Sequence, residues 1–214
     1  MTLLPDPAQD PAPSSPTWKT WNDLEREALA CTKCPLATAG RTQVVFGVGA
    51  RDADLVFVGE GPGAEEDKQG IPFVGRAGQL LTRLIEGIGM TRDEVYIANV
   101  VKCRPPGNRD PQPEEIETCR PYLEAQLGFL DPNVIMTLGN FATKLLLDTA
   151  GTPTKLGITK IRGKEFPVQL GRVGKQQVLV PTLHPSAVLR NGGAALAQTR
   201  ADFIVAKRAL ARPK

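Results

Sequence analysis

The sequence predicts an α/β fold, a three-layer α/β/α sandwich around a central four-stranded parallel sheet. Three observations predict it. Four short apolar runs, at residues 55–58, 94–101, 133–138 and 177–183, have the length and β-branched content of buried strands. Segments with helical periodicity separate them, the alternation that gives a sheet covered by helices on both faces. With 214 residues, 41% of them hydrophobic, the chain can bury a real core.

Taken in order, residues 1–16 hold five prolines among Asp, Ala and Ser. That composition predicts a disordered tail, leaving 17–214 as a single domain. Trp18, Trp21, Leu24 and Leu29 have helical spacing and read as a first packing helix, ending near Cys31-Thr-Lys-Cys34. The first strand, Leu55-Val56-Phe57-Val58, stops at Gly59-Glu60-Gly61-Pro62-Gly63, a tight loop whose backbone can approach a ligand. An acidic cluster, Glu65-Glu66-Asp67, follows, and then Phe73 between Pro72 and Val74. Gly75-Arg76-Ala77-Gly78 leads into a helix marked by Leu80, Leu81, Leu84, Ile85 and Ile88. Asn99 lies near the carboxyl end of the second strand. The prolines of Arg104-Pro105-Pro106-Gly107-Asn108 then force an extended or turning loop. Pro113-Glu114-Glu115 opens a helix running to about Leu130, with proline and acids in its first turn. A third strand and its helix lead to a glycine- and lysine-rich segment. The fourth strand then ends on His184-Pro185-Ser186, and a last helix covers roughly 194–210.

No apolar run is long enough to span a membrane. No basic stretch followed by an apolar one marks a secretion signal, so a cytoplasmic location is expected. The net charge of +3 is unevenly spread: residues 151–214 carry twelve basic and two acidic side chains. That asymmetry points to a polyanionic partner gripped by one basic face, or more simply to solubilising charges on a terminal helix.

In open α/β sheets the ligand sits at the carboxyl ends of the strands. There the chain offers a glycine loop at 59–63, the amide of Asn99, and His184, the only histidine. Three strand ends supplying such groups suit a pocket for a planar polar ligand. The simpler alternatives are an ordinary βα turn, a loop-capping asparagine and a structural histidine. All four cysteines fall into two pairs, C-x2-C at Cys31 and Cys34 and C-x15-C at Cys103 and Cys119. Four thiolates can hold zinc or an iron–sulfur cluster, and the long second spacing leans toward the cluster. Four unrelated reduced thiols is the remaining possibility.

GEGPG followed by EED, IPFVGRAG, YIANVVKCRPPGNRDP, the C-x15-C pair and HPSAVLR, in this order, resemble family 4 uracil-DNA glycosylases. The resemblance runs from about Cys31 to Leu210. It implies a monofunctional hydrolase that flips uracil out of DNA and cuts the N-glycosidic bond, leaving an abasic site for base excision repair. It also implies a [4Fe–4S] cluster on Cys31, Cys34, Cys103 and Cys119. Carried over residue by residue, Gly59, Glu60 and Gly61 hold a uracil carbonyl and Phe73 stacks on the base. Asn99 reads its edge, Glu66 excludes thymine, and His184 is the histidine of the second motif. Other branches have a water-activating Asp where this chain has Gly61, so Glu60 is the natural candidate for that role. Arg76, Ser186 and Arg190 are candidates for flanking phosphates. Leu189 is either a wedge filling the vacated base position or a core leucine. The expected partner is uracil-containing DNA, single- or double-stranded, bound by a monomer. An alternative is a cluster-bearing nucleic-acid module without turnover.

Overall fold

A computed structural model of the chain describes residues 18–171 and 175–212. The expected tail at 1–16 lies outside them. Six strands form one sheet: β1 Val48–Gly49, β2 Leu55–Gly59, β3 Tyr96–Asn99, β4 Val134–Leu138, β5 Phe166–Val168 and β6 Gln177–Thr182. Their spatial order is β1-β3-β2-β4-β6-β5. The pairings β3–β2, β2–β4 and β4–β6 are parallel, and β1 and β5 add antiparallel edges. The four parallel strands form the centre of the sheet, and among the described residues two antiparallel edge strands that the sequence reading did not include extend it to six. The two extra strands are short, and β5 carries Pro167, which a ladder tolerates only at an edge. Neither has the run of β-branched residues that betrays a central strand.

Helices cover both faces. α1 Trp21–Leu29, α4 Pro113–Leu130 and α5 Asn140–Thr149 pack on one side, and α3 Arg76–Glu86, α7 Pro185–Asn191 and α8 Gly193–Leu210 on the other. Side chains alternate across a strand. Along β2, Val56 and Val58 join Leu123, Leu127, Ala142 and Leu146 in one core. Leu55 and Phe57 join Leu81, Ile85 and Phe203 in the other, with Phe57 stacked on Phe203 at 5.5 Å. Every residue of β2 is buried. At roughly 1.5–3 kcal/mol per large apolar side chain, this double burial anchors β2 and the loop that leaves it. α4 starts with Pro113 and two acids in its first turn, as the sequence suggests, and Glu115 accepts the Gln112 backbone N–H at 2.8 Å.

Three short helices among the described residues escape the sequence reading: α2 Ala64–Gln69, α6 Ile158–Ile161 and α7 Pro185–Asn191. The acidic cluster forms α2, Ala64–Gln69, with three acids in its first turn, where the helix dipole favours them. His184 is the N-cap of α7. No helix among the described residues is long and apolar enough to cross a membrane.

Candidate active site

The parallel register brings four strand ends to one edge. Gly59 pairs with Asn99 across β2–β3, and Leu138 with Thr182 across β4–β6. The chain leaves three of these ends as Glu60-Gly61, Gly139-Asn140 and Leu183-His184, and Asn99 is the fourth. Together they line a cavity of about 460 Å³ that also receives Glu66, Phe73, Asp110, Ser186 and Arg190. Of the expected uracil-binding residues, Glu60, Gly61, Glu66, Phe73, Asn99 and His184 all line it. Gly59 stands directly behind. A Cβ added there would lie 2.4 Å from Asn99 Oδ1 and 2.6 Å from Phe73 Cζ, so only glycine lets amide and ring approach each other.

Asn99 is 1% exposed, and its Oδ1 has no hydrogen-bond partner. A buried acceptor left unpaired costs about 1–3 kcal/mol. Such groups are rare, and Asn99 is among the residues that line the cavity. The Phe73 and His184 rings stand 5.8 Å apart, tilted by 37°, and form a second wall.

Two groups carry the electrostatics. Burial first, then the positive charge of Arg190, lowers the His184 pKa to about 4, with Glu66 working against both. The imidazole is thus neutral near pH 7. Its Nδ1 accepts the Ser186 backbone N–H at 3.2 Å and lies 2.8 Å from Ser186 Oγ. A backbone N–H can only donate, so the ring proton belongs on Nε2. Glu60 shifts the other way. Burial first, then the negative charge of Asp110, raise its pKa to about 7. One edge of the sheet thus holds a neutral donor and a carboxyl poised at neutral pH, the pairing expected of acid–base chemistry.

The other expected residues are scattered. Glu66 Oε1 accepts the backbone N–H groups of Val74 and Gly75, each at 2.9 Å, so it braces the Phe73 loop as well as lining the cavity. Ser186 is engaged with His184. Arg190 is at the rim, while Arg76 is exposed at the start of α3, outside the cavity wall. Leu189 is 41% exposed on α7, which removes the core alternative. Asp110, Asn140 and Phe141 also line the cavity and were not expected there. Asn140 and Phe141 directly follow β4, so the strand-end rule that located the rest would have found them. Asp110 arrives from a proline-rich loop and had no such signal.

On the α1–α4 side, Cys31, Cys34, Cys103 and Cys119 line one small cavity with Arg41, Lys102 and Tyr122. Arg41 Nη1 donates to Cys103 Sγ at 2.8 Å, and the Lys102 backbone N–H to Cys119 Sγ at 3.3 Å. Burial raises the thiol pKa of Cys34 and Cys103, and that of Cys119 to about 12. Among the described residues, no three His, Cys, Asp or Glu side chains meet as a site for a single metal ion. The buried Lys102 Nζ turns the other way, donating to the Asn99 carbonyl and to Gln126. The cysteine corner thus touches the strand end that carries the pocket amide.

Fold and site together fit an α/β enzyme with its cavity at the strand ends. The chain belongs to the uracil DNA glycosylase superfamily, whose family model matches residues 46–210. Within it the chain sits with the type-4 branch. It is 46% identical over 168 residues to the type-4 uracil-DNA glycosylase of Archaeoglobus fulgidus, covering 78% of this chain and 82% of that protein. To the type-4 enzyme of Thermotoga maritima it is 52% identical over 162 residues, covering 75% and 79%. The type-5 uracil-DNA glycosylase of Thermus thermophilus is 30% identical over 185 residues, covering 70% and 84%.

Proposed function

We infer that this chain is a uracil-DNA glycosylase: it hydrolyses the bond between uracil and deoxyribose and leaves an abasic site, the first step of base excision repair. The observation that carries the reading is the unpaired Asn99 Oδ1, buried beside the Phe73 ring. Uracil presents N3–H to such an acceptor and O4 to the amide's N–H₂, while cytosine presents the reverse. Glycosylases flip their target out of the duplex to reach it. Phe73 then replaces the lost base stacking, worth roughly 1–3 kcal/mol.

As the C1′–N1 bond breaks, its electron pair leaves with the base and charge gathers on O2. The neutral His184 donates from Nε2, because Ser186 occupies Nδ1. A donor placed this way is worth roughly 3–4 kcal/mol in the transition state. Glu60 takes the proton of the water that adds to C1′, a role suited to its pKa of about 7. Glu66 narrows the cavity where a thymine methyl would fall. This acid–base pair argues against a binding module without turnover.

DNA is gripped through its phosphates by Arg190 and Arg76, with Leu189 as the exposed wedge, on one domain acting as a monomer in the cytoplasm. A [4Fe–4S] cluster on Cys31, Cys34, Cys103 and Cys119 would supply a structural staple joining the segment after α1, the β3–α4 loop and α4. Four thiols lining one cavity, two of them receiving N–H donors, suit that group. Protein purified without oxygen is expected to contain iron and inorganic sulfide, whereas zinc without sulfide would contradict the assignment. Activity is tested by incubating the protein with a uracil-containing oligonucleotide, single- and double-stranded. Alkali-labile cuts at uracil support the reading, and intact strands refute it.

A further inference from the structure

The geometry points to Arg92 as a positioning residue that, together with Glu66, clamps the Phe73 stacking platform. This rests on the reading of Phe73 as the uracil platform. Phe73 has φ +54°, a left-handed backbone that a bulky aromatic rarely adopts. Such a conformation persists only where the surroundings hold it, and here they do so from both ends. Arg92, in the short turn Arg92–Glu94 before β3, donates from Nη2 to the Pro72 carbonyl at 2.8 Å. Its Nη1 donates to the Phe73 carbonyl at 3.1 Å and reaches Thr82 Oγ1 on α3 at 3.3 Å. On the far side, Glu66 accepts the next two backbone N–H groups, Val74 and Gly75.

One cation thus gathers the carbonyls before the bend, and one carboxylate gathers the amides after it. α3 closes the remaining space: a Cβ on Gly78 would meet the Phe73 carbonyl oxygen at 1.8 Å. The ring lies against Gly59 and His184. Arg92 is partly buried, and burial lowers its pKa while Asp93 and Glu66 oppose the shift. A planar guanidinium can serve two successive carbonyls at once, whereas a lysine ammonium is a single point. Arg92 is not in the cavity wall, so it acts only through Phe73.

The test is single-turnover excision of uracil at saturating enzyme, well below the melting temperature, for wild type, Arg92→Met, Arg92→Lys, Phe73→Ala and the Arg92→Met/Phe73→Ala double variant. Arg92→Met is expected to excise roughly five- to 150-fold more slowly, the range that loss of one stacking contact gives. Arg92→Lys should fall between it and wild type. In the Phe73→Ala background, Arg92→Met should cause little further loss, because the two residues act as one unit. Full excision by Arg92→Met, even with a lower melting temperature, would overturn the clamp. So would losses that multiply in the double variant, which a merely structural role would give. If Arg92→Met does not fold, Arg92→Lys decides: a wild-type rate overturns the inference and a partial loss supports it. Failure of the wild-type protein to excise uracil would instead remove the function itself.

Discussion

The pocket at the strand ends and the cysteine corner behind it are built on opposite terms. In the pocket, polar groups are left wanting: Asn99 Oδ1 has no partner, Phe73 holds a left-handed backbone, and Glu60 sits where its charge is poorly solvated. In the corner, donors are already turned onto sulfur, from Arg41 to Cys103 and from the Lys102 amide to Cys119. The first region holds unmet capacity for a ligand at a cost in stability, and the second spends its contacts on holding the chain. Lys102 joins them, since its side chain supports the Asn99 carbonyl while its amide faces Cys119. Damage should therefore read differently in the two places: activity without stability in the pocket, stability before activity in the corner.

The largest expected effect in the pocket is Glu60→Gln. Loss of a general base costs roughly 10²–10⁴-fold in rate. Its pKa of about 7 also predicts an acid limb. The carboxylate is the active form, so excision should fall as pH drops through about 7, and bound DNA phosphates move that limb upward. His184, with a pKa near 4, stays neutral across this range and adds no limb. A pH–rate profile for wild type and Glu60→Gln checks this, the limb vanishing in the variant. Stability has the opposite sign for Glu60. Its folded pKa lies above the ordinary 4.5, so the fold binds the proton more tightly than the unfolded chain. That contribution is full below about 4.5 and is lost as pH rises through about 7. Glu60→Gln should therefore melt at or above the wild-type temperature at pH 8.

In the corner, Cys103→Ala should lower the melting temperature and the iron content together. Its single-turnover rate, measured cold on the folded fraction, should fall less than that of Glu60→Gln. Equal losses of rate in the two variants would erase the contrast between the regions. The smallest effect belongs to the rim. Arg190→Ala should flatten the log–log salt dependence of DNA affinity by about 0.7–0.9, the value of one phosphate contact. A salt-independent affinity would show that the basic third of the chain is not a DNA face.

Much of this was legible in the sequence, for reasons that differ by region. β2, β3, β4 and β6 announce themselves because both of their faces are buried, which leaves runs such as Leu55-Val56-Phe57-Val58. The strand-end rule then places Glu60, Asn99 and His184 together without any structure. β1 and β5 leave no such trace, being two and three residues long and half exposed. Arg92 and Asp110 were illegible for another reason. Each lies in a polar turn like many others, and only the folded path of the chain brings Arg92 to the Pro72 and Phe73 carbonyls and Asp110 beside Glu60. Leu189 shows a third case, since a leucine on a helix next to a site reads as core or wedge alike until its exposure is known.

The central claim, that the Asn99 amide reads the uracil edge, is tested most directly by Asn99→Asp. The substitution replaces the N–H₂ donor by an acceptor that meets the O4 lone pairs. When protonated, the new carboxyl can accept from cytosine N4 and donate to N3. Single-turnover excision of uracil and of cytosine is measured beside the melting temperature. The account predicts that uracil excision is largely lost and that the uracil-to-cytosine ratio falls by about 1–3 kcal/mol of discrimination. An unchanged ratio in a protein that merely melts at a lower temperature would mean that Asn99 caps the loop, and would contradict the account.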